Sequence, residues 1–237
     1  MPAFIKAFEM GTDLIELDIT LSKDNIPVVF HDVTLEKKTN GNGRVGNFTL
    51  EDLKKLDAGS WFGNEFIGTT IPTLEEVLQW AAGKISLNIE IKPEAVGASY
   101  SPGIEEFTVE MVKTYRMEKH VIFSSFSYLC IERLKKIAPE IPAGLLYDRK
   151  SSGRVSPLDL VHLYNADSFN CRWRELKRGW RRELQEQNIP IFIYTVNSAF
   201  WMRRLIRHGI SGIFTDRPDL LRRVILDMKE THELSHP

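Results

Sequence analysis

The sequence predicts an α/β fold built on a mainly parallel sheet, and two observations carry that expectation. Apolar, strand-like runs alternate with helical patterns almost throughout the 237 residues, the order that builds βα units. Several runs are near-continuous Ile, Val, Phe and Leu, as in parallel strands covered on both faces. A third observation bears on function. Carboxylates stand inside the apolar runs, where they are costly unless a cation or a chemistry holds them.

In chain order, a helical pattern begins near Pro2 and Gly11 closes it, glycine being the usual residue past a helix end. Leu14-Ile15-Glu16-Leu17-Asp18-Ile19 is the first strand, and Pro27-Val28-Val29-Phe30 reads as its hairpin partner. Segment 35–71, rich in Gly, Asn and Thr with one short helix over 50–56, reads as a small insertion after the second strand. Thr73-Leu74-Glu75-Glu76 is a capping box that opens a helix. Strands follow at 85–91, 121–126, 143–147, 168–171, 191–196 and 212–215. Ser156-Pro157 gives an N-cap with proline at the first helical position. Asn197 is expected to cap a helix over 198–208, which Gly209 ends. Leu176, Trp180 and Leu184 are spaced by four, so stretch 172–182 reads as a helix with a buried stripe and solvated arginines, in preference to a nucleic-acid or lipid surface. Without the hairpin partner, seven βα strands remain. They fit either a closed barrel or an open doubly wound sheet, and an eight-stranded barrel requires one more strand before Met1.

Composition narrows the function classes. A net charge of −1 builds in no long-range attraction to nucleic acid or acidic membrane. Cys130 and Cys171 alone make no disulfide framework and suit a reducing compartment. No apolar run reaches the roughly 20 residues of a membrane span, and no signal peptide is visible at Met1, so the expected location is cytoplasmic. Gly-rich phosphate loops, Gly-x-Ser-x-Gly elbows and zinc spacings are absent from the sequence.

Strand side chains alternate between faces with a period of two. Glu16 and Asp18 therefore point together, as do Glu90 and Lys92 in Leu87-Asn88-Ile89-Glu90-Ile91-Lys92. Three convergent carboxylates suit a hard divalent cation, Mg²⁺, Ca²⁺ or Mn²⁺, and Lys92 beside them is placed to hold a phosphate. Inward ion pairs are the structural alternative. His31, after Val28-Val29-Phe30, is the best candidate proton carrier, since imidazole is a natural general acid or base. His120, His162 and His208 have no comparable setting, and His232 and His236 fall in a polar tail. Tyr194 lines a pocket or sits in the core with a hydroxyl partner, and Asp216 is expected to bond its own turn or cap the next helix.

These motifs together resemble the glycerophosphodiester phosphodiesterase family, in its compact bacterial cytosolic form. The resemblance runs from Ala3 to about Leu221. It includes Ile15-Glu16-Leu17-Asp18, Val28-Val29-Phe30-His31-Asp32, Leu56-Asp57-Ala58-Gly59-Ser60-Trp61-Phe62, Asn88-Ile89-Glu90-Ile91-Lys92 and Gly212-Ile213-Phe214-Thr215-Asp216-Arg217-Pro218. It implies a TIM (β/α)8 barrel over 1–237, with 35–71 as the insertion. It further implies hydrolysis of a glycerophosphodiester to glycerol 3-phosphate and an alcohol. In the family reaction a neighbouring glycerol hydroxyl attacks phosphorus, and water opens the cyclic phosphate that results. By matching position, Glu16, Asp18 and Glu90 would hold the divalent cation, Lys92 would contact the phosphate, and His31 would be one of two acid–base histidines. Tyr194 stands where the family often has a tryptophan that packs against substrate. The partner implied is this small molecule, with no nucleic acid and no integral membrane segment.

The family pattern opens with a strand ending in His-Arg-Gly and a loop with Glu-Asn-Thr, and Met1 aligns just after them. The expectation is a barrel without its first strand and its second histidine, poorly stable and nearly inactive, with its carboxylates intact. Lys37-Lys38 also stands where the family usually has Arg-Thr. Two other readings stay open at this point. One is a non-catalytic remnant that binds metal or a phosphoester. The other is a related barrel phosphodiesterase acting on lysophospholipids, which an apolar rim would favour and the sequence does not suggest.

Overall fold

The computed structural model describes residues 1–97 and 102–230; His232 and His236 lie outside the described residues. Helix α1 (Pro2–Glu9) ends at Gly11, whose φ of +75° suits a residue without a Cβ. Strand β1 (Leu14–Leu21) then pairs antiparallel with β2 (Pro27–Val29) through Ile19–Val29 and Leu21–Pro27. The remaining elements alternate almost strictly: α2 (Leu50–Lys54), α3 (Leu74–Ala81), β3 (Ser86–Ile91), α4 (Ile104–Thr114), β4 (Val121–Ser125), α5 (Tyr128–Ile137), β5 (Ala143–Leu146), α6 (Arg149–Ser152), α7 (Pro157–Leu163), β6 (Ser168–Arg172), α8 (Arg178–Glu186), β7 (Ile191–Tyr194), α9 (Ala199–Arg207), β8 (Gly212–Ile213) and α10 (Pro218–Glu230). The eight strands make one curled sheet in the order β2-β1-β3-β4-β5-β6-β7-β8, parallel except at β2, as in an α/β barrel of the TIM type.

The alternation of strand side chains organises the core. Ile15, Leu17 and Ile19 of β1, Leu87, Ile89 and Ile91 of β3, Phe123 of β4, Leu145 of β5, Phe169 of β6 and Ile193 of β7 are buried against the helical layer. Their partners there include Leu74, Leu78, Ile104, Ile131, Leu160 and Leu184. The even-numbered residues face the other way, into the concave side of the sheet. Gly144 on β5 belongs to that side, and a Cβ there would come within 2.5 Å of the Ser168 hydroxyl.

Segment 35–71 closes over a satellite core of Val28, Phe30, Leu35, Val45, Leu53 and Ile71. It is tied back to α3 at one place. The Glu76 carboxylate accepts the Thr73 N–H at 3.0 Å, the Thr73 hydroxyl accepts the Glu76 N–H at 3.1 Å, and Lys54 of α2 donates to the same carboxylate at 2.7 and 2.8 Å. The capping box is formed as the sequence predicts, and the Ser156 hydroxyl caps α7 by accepting the Asp159 N–H.

Three local expectations are corrected. Asn197 does not cap α9, which begins after Ser198 without a side-chain cap. Its Oδ1 instead accepts the Thr215 hydroxyl and the Asp216 N–H, both at 2.9 Å, and its Nδ2 donates to Asp216 at 2.6 Å. The residue therefore fastens the end of β7 to the end of β8, a cross-strand task that local pattern does not show. Helix α8 starts at Arg178, so Leu176 packs on the core from the preceding loop, and Arg172 ends a strand. The short helix expected over 50–56 stops at Lys54. Among the described residues, no helix is long and apolar enough to cross a membrane.

Leu17 is 2% exposed between the sheet and the helices. Leu17→Ala is expected to lower unfolding stability by about 2–5 kcal/mol, read as a lower urea midpoint with an unchanged slope.

Candidate active site

The parity that buries Ile15, Leu17 and Ile19 turns Glu16 and Asp18 inward, and the parity that buries Leu87, Ile89 and Ile91 turns Asn88, Glu90 and Lys92 inward. The parallel register of β1 and β3 sets Asp18 opposite Glu90 and Glu16 opposite Asn88. One oxygen from each of Glu16, Asp18 and Glu90 then lies within 4.8 Å of the others. The Lys92 ammonium donates to Glu90 Oε1 at 3.0 Å and to Asp18 Oδ1 at 3.2 Å. All four residues line a cavity of about 690 Å³ on the concave side of the sheet.

The electrostatics follow from this crowding. Glu16 reaches solvent through the cavity, yet the protein packed around it and then the Asp18 and Glu90 charges raise its pKa well above the usual carboxylate range. Burial, followed by Asp18, raises Glu90 as well, and Lys92 only partly opposes this. Burial alone would lower Lys92, but Asp18 and Glu90 outweigh it and raise its pKa. Three carboxylates and one ammonium leave two negative charges uncompensated when all are ionised. That charge and the all-oxygen donor set fit a hard divalent cation.

His31 stands on the loop after β2. The Phe30 N–H donates to the Asp18 carbonyl at 3.0 Å, which anchors the loop beside the acidic residues. His31 Nδ1 lies 2.7 Å from Asp32 Oδ1. An ionised carboxylate only accepts, so Nδ1 carries the proton and Nε2 keeps the lone pair when the ring is neutral. Among the described residues His31 is the one histidine lining the cavity. Tyr194 lines the cavity, and its hydroxyl donates to the Tyr147 carbonyl at 3.1 Å. Burial pushes that phenol far above its ordinary pKa. Its ring meets Phe126 edge-on, with centroids 6.1 Å apart.

Other lining residues were not anticipated. Asp216 faces the cavity and bonds Asn197, where the sequence suggested its own turn or a helix cap. Arg172, Trp173 and Arg174 also line the cavity, which overturns the solvated-helix reading for this part of the stretch. Strand parity was the available signal. Arg172 continues Ser168 and Asn170 on one face, one residue beyond the expected strand end, and pairs in register with Tyr194. Segment 35–71 also carries an exposed apolar cluster that contradicts the expected lack of apolar surface. Trp61, Phe62 and Ile67 are 49%, 70% and 64% exposed, and Lys38 lies over the Trp61 ring at 3.4 Å.

Comparison with known proteins places this geometry among relatives. Residues 1–220 match the model of the glycerophosphoryl diester phosphodiesterase family. A glycerophosphodiester phosphodiesterase of Caldanaerobacter subterraneus subsp. tengcongensis is 40% identical over 224 residues, covering 94% of this chain and 90% of that protein. One from Bacillus subtilis is 32% identical over 234 residues, covering 92% of this chain and 78% of that protein. Among solved structures, a phosphodiesterase of Oleispira antarctica in complex with the product sn-glycerol-3-phosphate matches with a TM-score of 0.79 at 28% identity, covering 93% of this chain and 87% of that one.

The raised carboxylate pKa values have a definite sign. Between the unfolded carboxylate pKa, about 4.3 for glutamate, and the raised folded values of Glu16 and Glu90, the cation-free folded chain binds more protons than the unfolded chain. Its stability therefore falls as pH rises through that window. Thermal melts of chelator-treated protein are expected to show a falling Tm over that range. Added Mg²⁺, Ca²⁺ or Mn²⁺ should raise Tm more at pH 7.5 than near pH 5, because protons compete for the same oxygens.

Proposed function

This chain belongs to the glycerophosphoryl diester phosphodiesterase family, and we propose that its cavity performs metal-dependent hydrolysis of glycerophosphodiesters to glycerol 3-phosphate and an alcohol. One observation carries the reading: Glu16, Asp18, Glu90, Lys92 and His31 share a single cavity. The product held by the Oleispira antarctica relative supports the same reaction.

Glu16, Asp18 and Glu90 would hold the divalent cation, which when bound polarises the phosphoryl oxygens and offsets the charge that develops on them. Lys92 adds a fixed positive charge from just beyond β3 for the phosphate, and its contacts with Asp18 and Glu90 hold it at that spot. Asp32 orients the His31 ring through Nδ1, so that Nε2 takes up or returns one proton of the reaction. Tyr194 forms a rigid wall, locked by its bond to Tyr147 and its packing on Phe126.

Release of glycerol 3-phosphate from a panel of glycerophosphodiesters tests the reading. Turnover should appear with added divalent cation and vanish with chelator. His31→Ala should lower kcat by about 10²–10⁴-fold, while Glu90→Gln should weaken the apparent affinity for the cation. Chelator-resistant turnover, or full activity in His31→Ala, would sink the assignment.

A further inference from the structure

The cavity is divided by charge. Its acidic side is built by Glu16, Asp18 and Glu90 on β1 and β3, with Asp216 facing the cavity from beyond β8. Its basic side is Arg172, at the end of β6, and Arg174, in the turn beyond. Between β3 and β6 lie three strand spacings, about 14 Å along the curve of the sheet. A cation-bound phosphodiester seated on the first side would send one of its arms toward the second.

The arginines on that second side have no ion-pair partner among the described residues. Glu175 turns its carboxylate back to the Arg172 backbone N–H at 3.3 Å. Both side chains are exposed at the cavity wall. The aromatic residues nearby are already engaged. Trp173 stacks on Trp201 with centroids 4.3 Å apart, and the Arg174 guanidinium lies 4.8 Å from the Trp173 centroid. Tyr194 packs on Phe126 and bonds Tyr147. A quaternary ammonium therefore meets occupied rings and two unpaired guanidinium groups, which repel it. A phosphate or carboxylate meets two planar donors suited to bidentate hydrogen bonding.

We propose that Arg172 and Arg174 form a subsite for the leaving alcohol and select one that carries a further phosphate or a carboxylate, so that this chain prefers glycerophosphodiesters of anionic alcohols to those of choline. The proposal rests on the hydrolase reading above and names the substrate class for the same cavity.

A size-matched pair of substrates tests it. The ratio of kcat/KM for glycerophosphoinositol 4-phosphate to that for glycerophosphoinositol is expected to be at least about tenfold in the wild type. It should shrink as salt is raised. In the Arg172→Gln/Arg174→Gln double variant, shown folded by circular dichroism, the ratio should fall at least about tenfold, with glycerophosphocholine gaining relative to the phosphorylated substrate. A second readout is free of catalysis. Inositol 4-phosphate should raise the Tm of the wild type more than inositol does, and the double variant should lose that difference. A wild-type ratio near or below one overturns the proposal. So does a double variant that loses activity equally on every substrate, since its arginines would then serve the scissile phosphate or the fold. Selective binding of inositol 4-phosphate without turnover of any diester overturns the hydrolase reading while upholding the anionic subsite; neither turnover nor selective binding overturns both.

Discussion

Register decides where the charges of this protein can go. On β1 and β3 the odd positions Ile15, Leu17, Ile19, Leu87, Ile89 and Ile91 are buried under helices, and the even positions carry Glu16, Asp18, Glu90 and the neighbouring Lys92. A slip of one residue would push the carboxylates into the apolar layer and the aliphatic side chains into the cavity. The hydrophobic layer thus holds the three carboxylates together against their mutual repulsion. Burial first, and then that repulsion, raises the pKa values of Glu16 and Glu90, with Lys92 compensating only in part. The proposed cation site is the direct outcome of this conflict between packing and charge.

The loops beyond the strands use the same wall. Phe30 hydrogen-bonds the Asp18 carbonyl and sets His31 beside the acidic side. Asn197 joins the ends of β7 and β8 and holds Asp216 at the cavity. Segment 35–71 is fixed by its own core with Val28 and Phe30, by bonds of Phe48 and Leu50 to the β1–β2 turn, and by Lys54 on the Glu76 carboxylate, which also caps α3. The ion pair is partly exposed and worth little by itself.

What the sequence made legible was whatever repeats with a fixed period. The strand runs, the capping box at Thr73 and the inward pairing of Glu16 with Asp18 and Glu90 with Lys92 all depend on neighbours two to four residues away. Asn197 escaped because its partners, Thr215 and Asp216, are on another strand. Arg172 and Arg174 escaped because the spacing of Leu176, Trp180 and Leu184 suggested a longer helix, whereas α8 begins only at Arg178. The exposed apolar group of Trp61, Phe62 and Ile67 was equally hidden, since a Gly-rich, irregular segment has no period from which exposure can be read.

The separation of odd from even positions also bears on how such a protein changes over generations. Substitutions on the outer parity are tested first by folding, and those on the inner parity first by chemistry. The side chains at the far rim, Arg172 and Arg174, sit beyond the last tightly packed residues of β6, Phe169 and Cys171. Substitutions at that rim therefore alter the charge the cavity presents while leaving the packed shell beneath it intact.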